Sequence, residues 1–318
     1  GAWIDLYSQQ ALAALHLSRL AAVVGNTALE AKYQSEYNEL KNLINTQLWN
    51  VAQGMYYDKK EDGSWHVRNT IASFWPLVAE VAEAGQAALL INNHLKNPAE
   101  FYRAHLFPTL AANDPLYDPA GHYWRGAVWA PTDFAVIKGI ALHDRAFAHE
   151  AAVNHVDNMS SVYHDFVPGA YPFPMPGLDE PNIPRNGDGV NQIWEAYAPD
   201  VTAPATRWDA QLLVRQKFCG WSGAGPVALL LENILGFDVN GAENTLTWDI
   251  RLTGRHGVRR IRLGTALVTL VAEPRAGAGA PLAINGTTTA PFRPAIQDSG
   301  VPVYDQTVSG TISCTINP

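Results

Sequence analysis

The first part of the chain has the apolar spacing of an amphipathic helix. Apolar residues recur at steps of three to five between Ser8 and Gly25, which predicts a helix capped by the serine and ended by the glycine. The same kind of pattern predicts further helices over 29–48, 71–84, 86–95, 131–142, 145–158, 207–218 and 224–235. Loops rich in Pro, Gly and aromatic residues separate them, which indicates a toroid of helical hairpins.

The pattern changes after residue 238. Short runs such as TLTWDI and VRRIRL alternate apolar and polar residues between Gly, Asn and Pro, which predicts antiparallel β-structure. We therefore expect a mainly helical domain over 1–238 and a small β-sandwich-like region over 239–318. The Pro- and Gly-rich stretch over about 165–193 is expected to be an ordered loop.

The amino-acid composition argues against several classes of function for this protein. With 47% hydrophobic and 16% charged residues in 318, the chain can form a large core, and a net charge of −8 argues against nucleic acid or an anionic membrane as partner. No apolar run is long enough to span a membrane. Cys219 and Cys314 lack metal or redox spacing, and the histidines form no His-Glu-x-x-His pair. We expect no metal and no cofactor.

One segment, YWRGAVWAP, gathers aromatic side chains around an arginine just before a predicted helix. It contains Tyr123, Trp124, Arg125 and Trp129. An arginine can form forked hydrogen bonds with hydroxyls while its aromatic neighbours stack. The alternative is a buried arginine that ties the loop to backbone carbonyls.

Two later segments carry further candidates. NQIWEAYAP places Glu195 between Trp194 and Tyr197, where the acid is either a packed structural residue or a general base. In GWSGAG, Trp221 lies between glycines, and we expect its side chain to form a wall of a cavity. The segment does not match a nucleophile elbow, because Ala224 occupies the position where that motif needs a glycine.

These segments, in this order, resemble the family 63 glycoside hydrolases and the related trehalase and mannosylglycerate hydrolase-like proteins. The resemblance covers most of the chain from Trp3 to about Gly264, and its matching pieces are WIDLYSQQALAALHLSRLA, LWNVAQGMYYDKKEDG, ASFWPLVAEV, YWRGAVWAPTDFAVIKG, IWEAYAP, GWSGAGPVALLLENILG and LTWDIRLTGRHGVRRIRLG. It implies an (α/α)6 toroid that cleaves an α-glycosidic bond, of a glucoside or mannoside, with inversion.

The resemblance also assigns roles to residues. Glu195 corresponds to the general base that activates water. The substrate-binding residues it implies are Tyr123, Trp124, Arg125, Trp129, Trp194, Tyr197, Trp221 and Trp75.

One part of the family pattern is absent. The family's general acid is an Asp tens of residues upstream of the Trp-x-Asp-Leu helix, and here that helix begins at Trp3. A ring of six hairpins also needs twelve helices, and about eight are predicted. We therefore expect an incomplete toroid whose acid lies on an N-terminal segment or companion chain of the same protein. The alternative is that an Asp within the chain has taken the role.

Two other classes remain open at this stage. A lyase or epimerase can also be built on an α/α barrel, and a non-catalytic carbohydrate-binding subunit would keep the cleft without the acid. The expected partner is an oligosaccharide or glycoside substrate, without nucleic acid or membrane. A secreted or periplasmic location suits the class.

Overall fold

The computed structural model describes residues 1–166, 191–208, 213–218 and 220–317. Most of the predicted loop over about 165–193, and Cys219, lie outside these residues. The chain divides into two compact units, Gly1–Pro226 and Val227–Pro318. The domain limits expected from the sequence, 1–238 and 239–318, stay a prediction.

Helices dominate the first unit. Among the described residues the α-helices are α1 (Ile4–Val23), α2 (Thr27–Leu43), α3 (Trp75–Val78), α4 (Ala84–Leu89), α5 (Ala130–Ala141), α6 (Arg145–Asp165) and α7 (Trp221–Leu229). Wider π-helical turns continue α2, α4 and α7 over Ile44–Leu48, Leu90–Leu95 and Leu230–Ile234. Two small antiparallel pairs join β1 (Trp49–Asn50) to β2 (Met55–Tyr56) and β3 (Asp58–Lys59) to β4 (Trp65–His66).

Most of the helix predictions are confirmed, with shifted ends. α1 begins four residues before Ser8, which is buried inside the helix, and Gly25 follows its end with a φ of +72°. Over 71–84 only a 3-10 turn, Ile71–Phe74, and the four residues of α3 are helical before Glu80 takes a φ of +56°. No helix of the described residues is long and apolar enough to cross a membrane.

The helix predicted over 207–218 is wrong where the structure describes it. Leu213 forms an antiparallel bridge with Thr206, and the amide of Val214 donates to the carbonyl of Ala205 at 2.9 Å. The backbone groups of Leu213 and Val214 therefore pair with an extended strand-like neighbour at residues 205–206 instead of with the next turn of a helix.

Helices that follow one another in sequence pack in two pairs, α1 against α2 and α5 against α6, and α5 also lies against the more distant α3. Pairs of this kind are the hairpins expected from the sequence. The closed toroid itself stays a prediction.

The contact between α5 and α3 depends on a glycine. A Cβ atom at Gly139 would lie 2.6 Å from Leu77 Cβ and 2.7 Å from the backbone nitrogen of Val78. We expect Gly139→Ala to lower the free energy of unfolding by about 1–2 kcal/mol, because forced separation of the helices outweighs the better helix propensity of alanine. Urea unfolding followed by circular dichroism measures this.

Gly85 provides the matched control, since it also lies in a helix, α4, but has no atom within 4 Å of its added Cβ. Gly85→Ala should leave stability unchanged or raise it by up to about 1 kcal/mol. Equal effects of the two alanine variants would show that the close approach of α5 and α3 carries no cost.

The second unit contains most of the β-structure. Its strands are β5 (Phe237–Asn240), β6 (Thr245–Ile250), β7 (His256–Leu263), β8 (Ala266–Ala272), β9 (Leu282–Asp298), β10 (Val301–Asp305) and β11 (Val308–Ile316). The long β9 pairs with β8 and β11 through its first half and with β6 and β10 through its second half. Buried apolar side chains of β5, β6, β7, β8, β9 and β11 form one core.

The expectation of purely antiparallel structure needs one correction. β6 and β9 are parallel, with Leu246 opposite Pro294 and Trp248 opposite Ile296. A parallel pair needs a long crossover connection, and here β7 and β8 supply it. The remaining pairs of this sheet are antiparallel.

Candidate functional site

A strained turn presents the aromatic and arginine side chains of the YWRG segment. Residues Tyr123–Arg125 form one 3-10 turn, and His122 and Tyr123 have left-handed φ values of 34° and 60°. Two hydrogen bonds to Thr206 hold this backbone. The amide of Tyr123 donates to the carbonyl of Thr206 at 2.9 Å, and the amide of His122 donates to the side-chain hydroxyl of Thr206 at 3.0 Å. Neighbouring structure thereby fixes a conformation that the residues would otherwise avoid.

The segment that carries Glu195 is held on both sides. Tyr197 and Val128 exchange backbone hydrogen bonds of 2.9 and 2.8 Å, and the amide of Glu195 donates to the carbonyl of Arg215 at 2.8 Å. The hydroxyl of Ser222 donates to the carbonyl of Glu195 at 3.2 Å. The backbone of the acid is therefore fixed against the start of α5, the 213–218 segment and α7.

The Glu195 carboxylate is oriented by two donors. It is 4% exposed. The hydroxyl of Tyr123 donates to Oε1 at 3.2 Å, and the amide of Arg215 donates to Oε2 at 3.4 Å. Burial and the negative charge of Glu195 both raise the pKa of Tyr123, although the positive charge of Arg215 opposes them. Tyr123 therefore keeps its proton and acts as a donor to the carboxylate.

Five aromatic rings, which we call the aromatic cluster, are grouped around the tyrosine that donates to this carboxylate: Tyr123, Trp124, Trp129, Trp208 and Trp221. Trp129 is buried and stacks on Trp124 with ring centroids 4.4 Å apart and planes within 4°. The rings of Tyr123 and Trp221 lie 4.7 and 6.1 Å from Trp129, and Trp208 lies 5.5 Å from Tyr123. Trp124, Trp208 and Trp221 are 54%, 60% and 47% exposed, which leaves indole surface open to a ligand.

The structure thus brings Glu195 together with Tyr123, Trp124, Trp129 and Trp221. Arg125, in the same turn, is exposed, and among the described residues its side chain has no hydrogen bond or ion pair. It is therefore available to a ligand.

Three predicted substrate-binding residues are placed differently. Trp194 is fully buried against Phe166, and its amide donates to the hydroxyl of the buried Tyr197 at 3.2 Å. Trp75 opens α3, and no ring contact in the described part of the chain joins it to the aromatic cluster. Trp194 and Tyr197 therefore support the segment that carries Glu195. A role of Trp194, Tyr197 and Trp75 in substrate binding stays a prediction.

Sequence reasoning missed Trp208, the backbone of Arg215 and the contact of Ser222. Trp208 follows an arginine, Arg207, whose guanidinium lies 5.2 Å from its ring. The same pairing of Trp with Arg drew attention to residues 124 and 125, so this signal was present. Nothing in the local sequence around Arg215 indicates a backbone amide aimed at a carboxylate.

A buried Asp–His pair lies one helical turn beyond Trp129. Asp133 on α5 and His155 on α6 are both almost inaccessible, and Nδ1 of the histidine is 2.8 Å from Oδ2 of the aspartate. Burial raises the pKa of Asp133 to about 6, although the histidine opposes this. The pair joins the two helices that follow the YWRG turn.

Metal binding finds no support in the described residues, where no three His, Cys, Asp or Glu side chains group closely enough to hold an ion. The expectation that no metal or cofactor is required stays a prediction.

Known proteins match much of the chain. The family model of the mannosylglycerate hydrolase MGH1-like glycoside hydrolase domain matches residues 2–196, a range that includes Glu195. An uncharacterized protein of Borreliella burgdorferi is 26% identical over 271 residues, which are 84% of this chain and 52% of that protein. The mannosylglycerate hydrolase of Thermus thermophilus is 32% identical over 112 residues, which are 33% of this chain and 24% of that enzyme.

A solved structure supports the fold. The crystal structure of a GH63 mannosylglycerate hydrolase from Thermus thermophilus in complex with Tris aligns with a TM-score of 0.50 at 21% identity, over 71% of this chain and 44% of the other. The chain spans about half the length of the Borreliella relative, and the matched stretch of sequence covers about a quarter of the Thermus enzyme. The resemblance noted in the sequence is confirmed by the family match, and the chain belongs to the mannosylglycerate hydrolase MGH1-like glycoside hydrolases.

Proposed function

We propose that the protein is a glycoside hydrolase that cleaves an α-glucoside or α-mannoside with inversion, and that Glu195 is its general base. The observation that carries the proposal is the buried Glu195 carboxylate, held by Tyr123 and by the Arg215 amide beside the aromatic cluster. Membership of a glycoside hydrolase family supports it.

The geometry around Glu195 suits proton abstraction from water. Each carboxylate oxygen accepts one hydrogen bond from the protein, and a carboxylate oxygen has a further lone pair for a water molecule. The water oxygen attacks the anomeric carbon as the bond to the leaving group breaks, and Glu195 takes the water's proton. Fixing the carboxylate beforehand removes the cost of orienting it during the reaction.

The aromatic cluster supplies the surface for the sugar. Sugar rings present C–H faces that pack on indole rings, and Trp124, Trp208 and Trp221 are the exposed members of the cluster. Buried Trp129 supports Trp124 from behind through the parallel stack. The exposed guanidinium of Arg125 stands next to this surface and can donate to sugar hydroxyls.

Inversion requires a second carboxyl group, roughly 6.5–9.5 Å from the base. Within the described ranges no hydrogen bond or ion pair connects another carboxylate to Glu195 or Tyr123. We propose that a segment or companion chain of the same protein, outside these 318 residues, carries the general acid. The match to about half of the Borreliella relative is consistent with this.

Glycosyl fluorides test the proposal directly, because fluoride leaves with little help from an acid and Glu195 alone then suffices. We expect the protein to release fluoride from α-D-glucosyl or α-D-mannosyl fluoride, and proton NMR to show the β-sugar as the first product. An α-sugar as first product would contradict inversion. Sugar binding with no fluoride release above the rate in buffer would favour the non-catalytic binding subunit instead.

A further inference from the structure

A groove runs along one face of α6, away from the Glu195 site. Its volume is about 380 Å³, and its walls are α6 on one side and residues 104–105 with Thr202 on the other. Of the described residues that line it, none contacts the Glu195 carboxylate or belongs to the aromatic cluster. A volume of this size is in the range of small-molecule sites. We call it the α6 groove.

The face of α6 that lines the groove is polar where a packed helix would be apolar. The lining positions of α6 are Glu150, Val153, Asn154, Asp157, Asn158 and Ser161. They follow the spacing of a single helix face, and only one of them is apolar. The groove is therefore unsuited to an apolar partner and suited to a ligand that forms many hydrogen bonds.

The groove is held in shape by its own hydrogen bonds. The side-chain amide of Asn154 donates to the carbonyl of Ala104 at 2.9 Å and accepts from the amide of Leu106 at 2.9 Å. The hydroxyl of Tyr102 donates to Glu150. These contacts fix the opposite wall and one of the two carboxylates before any ligand arrives.

Asn158 is the member of the lining with unmet hydrogen-bonding capacity. The residue is 4% exposed, and in the described part of the chain neither its side-chain amide nitrogen nor its side-chain amide oxygen has a hydrogen-bond partner. Buried side-chain amides are almost always paired in proteins. A hydroxyl-bearing ligand in the groove, which Asn158 lines, would supply the hydrogen-bond partners that its side chain lacks.

The charges of the lining define the class of that molecule. Glu150 and Asp157 are carboxylates, and no lysine or arginine is among the described residues that line the groove. Burial lowers the pKa of His105 to about 4, with a contribution from His155 and against the charge of Asp200, so the His105 ring is neutral at pH 7. An anionic ligand is therefore repelled, while hydroxyl groups can donate to the carboxylates and exchange hydrogen bonds with Ser161 and Thr202.

We propose that the α6 groove is a second binding site, for a neutral polyhydroxylated molecule of the size of one sugar unit. Binding there does not require hydrolysis at Glu195. The two sites therefore succeed or fail in separate measurements.

The methyl groups of Val153, which line the groove, provide the reporter. We expect D-glucose or D-mannose to shift the Val153 methyl NMR signals with a millimolar Kd, whereas D-gluconate, an anion of similar size, binds at least about tenfold more weakly. A Glu195→Gln background keeps the hydrolytic site inactive during the titration.

Two adjacent serines give a matched pair of variants. Ser161 lines the groove and Ser160, one residue earlier on α6, is exposed and does not. Ser161→Phe should weaken binding at least about tenfold, and Ser160→Phe should leave Kd within about twofold. The NMR signals of the core methyl groups show whether both variants are folded. If Ser161→Phe does not fold, Ser161→Ala replaces it in the test; this variant removes only the hydroxyl and should weaken binding by a smaller factor.

Three results would overturn the proposal. The first is the absence of a shift of the Val153 methyl signals with either neutral sugar, which would mean that water molecules alone form the hydrogen bonds with the Asn158 side chain. The second is an equal response to D-gluconate, since the groove would then not select by charge. The third is equal weakening by the Ser160 and Ser161 variants.

Discussion

Glu195→Gln is expected to lower the rate of fluoride release from an α-glycosyl fluoride by about a thousandfold, because an amide cannot accept the proton of the attacking water. The substitution preserves the shape of the side chain. One oxygen remains to accept from Tyr123 or from the Arg215 amide, whose donors lie 3.2 and 3.4 Å from the present carboxylate. Initial rates with a fluoride electrode measure the loss, and urea unfolding shows that the variant is folded. Turnover within a few-fold of the original would remove Glu195 from the mechanism.

Tyr123→Phe separates positioning of the base from binding of the sugar. The phenylalanine keeps the ring against Trp129 and loses only the hydroxyl that donates to Glu195. We expect kcat to fall by about tenfold with little change in KM, because a less well-oriented base affects the transition state more than the bound substrate. Tyr33→Phe on α2, a loss of the same hydroxyl away from the site, should change neither constant.

A rise in KM at constant kcat after Tyr123→Phe would give Tyr123 the substrate-binding role that the family resemblance implies. The two outcomes thus distinguish a residue that holds the base from one that holds the sugar.

The parts of the fold that were predicted from sequence are those in which backbone hydrogen bonds stay local. α1, α2, α5 and α6 carry an apolar face at helical spacing; the first three form within a few residues of their predicted limits, and α6 begins as predicted but continues seven residues further, to Asp165. The segment over 207–218 also has suitable residues for a helix. Its amides and carbonyls instead pair with residues 193–206: Phe218 donates to Ile193, Glu195 to Arg215 and Val214 to Ala205. Such long-range pairing leaves no mark in local periodicity.

The same extended segment explains what was missed in the site. Motif density identified Tyr123, Trp124, Trp129, Glu195 and Trp221 because each lies in a run of unusual residues. Trp208 and the amide of Arg215 reach the site through contacts between segments: the ring of Trp208 lies against Tyr123, and residues 213–218 pair with 193–205. Three-dimensional proximity, and not composition, makes them part of it.

The buried Asp133–His155 pair makes the stability of the protein depend on pH in an unusual direction. Burial raises the pKa of Asp133 from 3.8 to about 6, so between these values the folded protein holds a proton that the unfolded chain releases. The stability that this carboxyl contributes is complete below about pH 4 and is lost as the pH rises through 6. Asp133→Asn keeps the shape and removes the titration.

We therefore expect the free energy of unfolding of the original protein, minus that of Asp133→Asn, to fall by about 2–3 kcal/mol between pH 4 and pH 7. Urea titrations at a series of pH values measure this difference, and titrations of unrelated groups cancel in it. His155→Gln removes the histidine whose interaction lowers the pKa of Asp133, so the fall should move to higher pH in that background. A difference that stays flat, or that increases with pH, would show that the carboxyl is ionised in the folded core throughout this range.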